Sequence, residues 1–128
     1  TESALDGVAG ALPALLRAEK LQRRAARAGF DWPDPQGPAD KLAEEIDELA
    51  AAPEAERAEE AGDLLFAAVN LVRAYGIAAE DALRAANRKF ERRFRRMERL
   101  AAGPEAFAEL PLDRQEALWQ QVKREEAS

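Results

Sequence analysis

Half of the apolar side chains in this sequence are single methyl groups: 30 of the 60 are alanine. Leu, Ile, Val and Phe together supply only 26 of the 128 residues. Alanine is the best helix former, and the charged residues that make up 34% of the chain are mostly good ones. Few residues are β-branched and no window alternates with period two, so strands are not expected. The fold class that remains is all-α, with a thin core that oligomerisation would complete. The length suits one domain, set here at residues 11–128, with TESALDGVAG over residues 1–10 as a flexible lead-in.

Gly and Pro punctuate the chain at Gly29 to Pro38, at Pro53, at Gly76, at Gly103-Pro104 and at Pro111. Between these breaks the sequence predicts helices over 12–28, 39–52, 54–75, 79–102 and 112–126, an antiparallel bundle of four main helices plus a C-terminal one. Leu42, Ile46 and Leu49 recur at i, i+4, i+7, and Leu83, Ala86, Phe90, Phe94, Met97 and Leu100 make a second stripe. In the third helix, Leu64, Leu65, Phe66, Val69, Leu71 and Val72 occupy most of the circumference. Such a helix is buried on several sides, at a bundle centre or at a subunit interface.

The absence of Cys and His removes disulfides, thiolate nucleophiles, imidazole bases and Cys- or His-bound metals. Chemistry is left to carboxylates, Lys, Arg, hydroxyls or a hard cation. The apolar stretch from Ala61 to Val72 is broken by Gly62, Asp63 and Asn70 and is too short to span a bilayer. No charged-apolar-small leader opens the chain, so the expected compartment is the cytoplasm. A net charge of −6 and a pI near 4.8 argue against general nucleic-acid binding.

The acidic excess is concentrated. LAEEIDELA places Glu44, Glu45 and Glu48 within five residues, and AEEAGDLLFAAVN places Glu60 and Asp63 three apart. Residues at i, i+3 and i+4 share a helical face, and the short connection at Pro53 makes the two helices antiparallel neighbours. Carboxylates that converge in this way repel unless a hard divalent cation compensates them, Mg²⁺ or Mn²⁺ being suited to all-oxygen ligation. Gly62, costly inside a helix, suggests close helix approach beside Asp63. The competing reading is a pair of solvated acidic faces, weakened because Asp63 runs straight into an apolar segment.

With EExxE at Glu44, Glu45 and Glu48 and ExxD at Glu60 and Asp63 leading into LLFAAVN, the chain resembles the MazG-type nucleoside triphosphate pyrophosphohydrolases of the all-α NTP pyrophosphatase superfamily. LQRRAARAGFDWPD, AANRKFERRFRRME and EALWQQVK extend the resemblance over nearly the whole chain, which looks most like the catalytic C-terminal half of full-length bacterial members. The resemblance implies hydrolysis of a nucleoside triphosphate to monophosphate and pyrophosphate, with Mg²⁺ held by Glu45, Glu48, Glu60 and Asp63. Glu44 is then free to orient or deprotonate the attacking water, or to bind a further ion. The family also implies a dimer in which subunits can share site residues.

A triphosphate brings about four negative charges, so cationic side chains should converge on it. Lys89 and Arg93 lie i, i+4 on one helix, Asn87 interrupts its apolar stripe, and the resemblance puts both cations on the phosphates, with Arg92 as a further candidate. The same Arg-rich run also reads as a solvated face, or less readily as a nucleic-acid stripe. Lys41 either binds nucleotide, as in the resembling proteins, or simply pairs with Glu45 at i+4. Trp119 and Lys123, also i, i+4, either meet the substrate, the indole against base or sugar by resemblance, or pack the C-terminal helix. Trp32 reads as packing the long loop over the bundle; Arg23, Arg24 and Arg27 read as solubility or subunit-contact residues.

Broad base tolerance is expected, since no pattern announces base-specific hydrogen bonding, and nucleotide-pool house-cleaning is the role it suggests. The alternatives are a narrower dUTP/dCTP or phosphoribosyl-ATP pyrophosphohydrolase, and a non-catalytic helical oligomerisation or interaction module.

Overall fold

The computed structural model describes residues 2–127. Six α-helices and one 3₁₀ turn follow in order: α1 Ala14–Arg27, α2 Gln36–Ala51, the turn Glu54–Glu56, α3 Arg57–Ala74, α4 Ala79–Leu100, α5 Pro104–Glu109 and α6 Leu112–Ala127. Among the described residues there is no strand. The chain forms two compact units, one running to Ala82 and the other starting at Leu83. No single helix among the described residues is long and apolar enough to cross a membrane.

Two of the expected breaks are helix starts. α2 begins at Gln36, ahead of Pro38, because the first turn of a helix needs no N–H from its residues for intrahelical bonding. Asp34 Oδ1 accepts the Gln36 N–H at 2.9 Å, which supplies part of the missing cap. Gly103-Pro104 ends α4 and also opens the unforeseen helix α5: Ala102 and Gly103 take positive φ (69° and 124°), the Gly103 N–H returns to the Glu98 carbonyl at 2.8 Å, and Pro104 stands at the head of α5. Pro53 opens a 3₁₀ turn, and the α-helix proper starts at Arg57.

In the first unit α3 packs most extensively on α2 and also on α1. The buried apolar residues here are small, Ala67, Val69 and Ala79, with Pro38 fully enclosed. Polar contacts supplement that thin packing. Gln22 of α1 donates through Nε2 to the Phe66 carbonyl at 3.0 Å, and Glu19 accepts the Ala79 N–H at 3.2 Å and Arg23 Nε at 3.3 Å. Arg24 donates to the carbonyls of Ala4 and Asp6, at 3.3 and 2.6 Å. The second unit centres on Met97, Phe107 and Val122, with Phe94, Leu100, Leu110, Leu118 and Trp119 packed around them.

The apolar surfaces expected of α4 and α3 are only partly covered. α4 buries Met97 in its C-terminal half, whereas Leu83 and Phe90 stay exposed. α3 is not enclosed on several sides within this chain: Ala67 and Val69 are buried, but Leu65 and Phe66 are 58% and 47% exposed.

Candidate functional site

Packing of α2 on α3 draws carboxylates together. One oxygen each from Glu45, Glu60 and Asp63 lies within 4.8 Å of the others. Glu45 is buried, Glu60 half-buried and Asp63 exposed. Glu45 Oε2 and Glu60 Oε2 are both buried without a hydrogen-bond partner. An unpaired buried carboxylate oxygen is costly, and two beside a third carboxylate are more so. A bound cation removes that cost, and a set made only of hard oxygen donors fits Mg²⁺ or Mn²⁺.

Lys41 supplies one positive charge from within α2, with Nζ 3.2 Å from Glu45 Oε1 and 3.5 Å from Glu44 Oε2. The hydrogen bond to Glu45, reinforced by the Glu44 charge, raises the pKa of the ammonium. Thus Lys41 does pair with Glu45, and it does so at the edge of the acidic cluster. Glu48 stands outside the three converging oxygens and is exposed. Repulsion by Glu45 above all, then desolvation and the charges of Glu44 and Glu60, raise its carboxyl pKa. Gly62 is not a point of close approach, since a Cβ there would meet nothing within 4 Å.

The cationic candidates other than Lys41 belong to the second unit. Arg93 Nε lies 2.8 Å from Glu126 Oε1, with its guanidinium 5.3 Å from the Trp119 ring centroid. Arg92 reaches the same Glu126 at 3.7 Å, and Trp119 also packs against Phe90, centroids 6.1 Å apart. Asn87, Lys89 and Lys123 are exposed. Two clusters therefore exist, one of Glu44, Glu45, Glu60, Asp63 and Lys41, the other of Arg92, Arg93, Trp119 and Glu126.

Sequence reasoning missed a cleft of about 430 Å³ in the first unit, bordered by Phe30, Trp32, Phe66, Asn70, Asp31 and Arg73 among others. The sequence pattern assigns Trp32 only to loop packing. The available signal was the i, i+3, i+7, i+10 spacing of Asp63, Phe66, Asn70 and Arg73, which puts cleft residues and a cluster carboxylate on one face of α3. Arg73 Nη2 holds Asp31 Oδ1 at 2.8 Å and lowers the Asp31 pKa through that hydrogen bond, aided by the Trp32 N–H and opposed by desolvation. Between the lowered value and the ordinary one the native state binds fewer protons than the unfolded chain. The pair's stabilisation is therefore complete above the ordinary carboxylate range and fades as the pH falls through the lowered value. Because Asp31 is partly exposed, Asp31→Asn is expected to cost less than about 1 kcal/mol at neutral pH, and its difference from wild type in urea melts should vanish in acid.

An all-helical chain built around a carboxylate cluster suited to a hard divalent cation is the class that fold and site define. Residues 35–97, which contain the whole cluster, match the MazG nucleotide pyrophosphohydrolase domain, and the chain belongs to that family. It is 50% identical over 131 residues to the nucleoside triphosphate pyrophosphohydrolase of Escherichia coli K12, covering 97% of this chain and 50% of that protein. It is 43% identical over 114 residues to the nucleoside triphosphate pyrophosphohydrolase/pyrophosphatase MazG of Thermotoga maritima, covering 88% of this chain and 45% of that one. The chain thus spans about half the length of these two relatives.

Proposed function

We propose that this chain hydrolyses nucleoside triphosphates to the monophosphate and pyrophosphate, with broad base tolerance, in the cytoplasm, and that it does so as a homodimer built on an antiparallel helical bundle. The observation that carries the reading is the pair of buried, unpaired oxygens on Glu45 and Glu60 beside Asp63, in a chain half identical to a nucleoside triphosphate pyrophosphohydrolase. Glu45, Glu60 and Asp63, joined by Glu48, hold Mg²⁺, with Mn²⁺ as a substitute. The bound ion neutralises phosphate charge and lowers the pKa of water at the site.

The remaining roles fall to side chains. Glu44, exposed next to the cluster, orients the attacking water and takes its proton. The water oxygen joins one phosphorus of the α–β anhydride, and the bridging oxygen leaves with the other product. Lys41 neutralises the Glu44 and Glu45 edge and binds nucleotide. By family resemblance Lys89 and Arg93 bind phosphate oxygens, with Arg92 as a further candidate, and Trp119 meets base or sugar; Asn87 and Lys123 are further nucleotide-binding candidates on the same two helices, and Arg93 would exchange its Glu126 partner for phosphate.

Pyrophosphate release from a panel of NTPs and dNTPs, extended to phosphoribosyl-ATP, tests the reading. Release from several nucleotides that depends on Mg²⁺ supports it. A confinement to dUTP and dCTP, or to phosphoribosyl-ATP, would replace the broad specificity with a narrow one, and absence of release from every substrate would overturn the activity.

A further inference from the structure

We propose that Glu126 is a built-in competitor of the substrate: its carboxylate occupies the anion seat on Arg92 and Arg93, and a phosphate gains those cations only by displacing it. This deepens the phosphohydrolase reading and rests on it for the placing of phosphate on Arg93. The local sequence brings the acid to the arginines. On α6, Trp119, Lys123 and Glu126 follow at i, i+4 and i+7 and share one face. On α4, Arg92 and Arg93 are adjacent and Arg96 lies one turn on. Val122 of α6, 2% exposed, shares a core with Met97 of α4 and Phe107 of α5, which holds the two long helices of the second unit side by side.

Two observations separate Glu126 from an ordinary surface ion pair. First, its carboxylate spans two cations: Oε1 accepts Arg93 Nε at 2.8 Å, and Oε2 lies 3.7 Å from Arg92 Nη2. A carboxylate and a phosphate present guanidinium groups with the same kind of paired anionic oxygens. Second, the Arg93 side chain is only 16% exposed and its guanidinium stands 5.3 Å from the Trp119 ring centroid, so it has little surface left to offer a second anion. Glu125 differs from its neighbour. It accepts Arg96 Nε at 3.2 Å and Gln121 Nε2 at 3.3 Å, and neither of those residues is a candidate for phosphate.

The consequence is a reduced affinity for phosphate. Carboxylate and phosphate cannot share Arg93 without like-charge repulsion, so Glu126 must leave before a phosphate binds there. Apparent affinity then falls by the fraction of molecules in which the seat is open. The occupant is replaceable, because the Glu126 and Arg92 side chains are 32% and 62% exposed and an ion pair that water reaches is weak. A multiply charged ligand wins where a single carboxylate holds the seat only by default.

The test removes the charge and keeps the shape. Glu126→Gln is expected to lower KM for ATP about fivefold, the worth of one partly exposed ion pair. Inhibition by inorganic tripolyphosphate, which has no base, should tighten by the same factor. The gain should vanish when Arg93→Gln is added, and Glu125→Gln, which removes the same charge one residue away, should leave both constants at the wild-type value. If Glu126→Gln changes neither constant, or raises both because the carboxylate orients Arg93 for its ligand, the proposal is overturned. It is overturned too if Glu125→Gln gives the same gain, which would make net charge the cause, or if the gain survives Arg93→Gln. Should wild type release no pyrophosphate at all, the enzymatic reading fails separately. The seat is then judged by calorimetric titration with tripolyphosphate alone: tighter binding in Glu126→Gln, lost with Arg93→Gln, sustains the competitor, and equal or undetectable binding in wild type and Glu126→Gln overturns it.

Discussion

Asp63→Asn is expected to reduce Mg²⁺-dependent pyrophosphate release by at least about 100-fold, the scale on which single charge-stabilising groups act in catalysis. Helix content should be unchanged, and the metal-free protein should melt at a higher temperature than wild type. Activity and stability move oppositely because Asp63 is one of three carboxylates whose oxygens lie within 4.8 Å of each other, and it is the exposed one. Its removal leaves the packing of α2 on α3 intact and relieves repulsion. The raised pKa of Glu48, caused first by Glu45, shows that negative potential accumulates on this surface. Added Mg²⁺ should reverse the order of the melts, since an ion bound only by the native state stabilises it by mass action. Circular-dichroism melts and calorimetric Mg²⁺ titration of both proteins check this. If the acidic faces are merely solvated, wild type will neither bind Mg²⁺ measurably nor shift its melt, and the interaction-module reading takes over. Glu45→Gln is a poorer probe, because it also removes the buried partner of Lys41.

What the sequence disclosed depended on the range of the interaction. The grouping of Glu45, Glu60 and Asp63 was legible because one helical repeat aligns Glu60 with Asp63 and a short link folds α3 back on α2. Glu48 shares the same sequence pattern, yet its oxygens lie outside the trio, because i, i+3 spacing fixes a face and not the reach of a side chain. Gly-Pro clusters were read as breaks, and α2 and α5 start inside them: proline excludes a helix interior but suits the first turn. The cleft was out of reach, since it depends on Trp32 settling on Gly37 and on Arg73 crossing from α3 to Asp31, contacts that no local periodicity encodes.

Leu65→Glu is expected to convert a dimer into a monomer at micromolar concentration. Leu65 on α3 and Ile46 on α2 are 58% and 52% exposed, on the two helices that carry the acidic cluster. Only Ala67 and Val69 of the third helix are buried, so its apolar run has more surface than its own chain covers, and exposed apolar patches of this kind mark association sites. Burial of a leucine contributes about 1.5–3 kcal/mol, and a two-fold interface uses the same residue twice, giving about 3–6 kcal/mol. That corresponds to a dimer weakened roughly 10²- to 10⁴-fold, before the cost of burying a carboxylate is added. Light scattering should then give 14.1 kDa for the variant and twice that for wild type. Ile46→Glu should act in the same direction if α2 and α3 form one continuous contact. A wild type that is monomeric at micromolar concentration would overturn the dimer and leave the thin first unit to be completed by something other than its own copy.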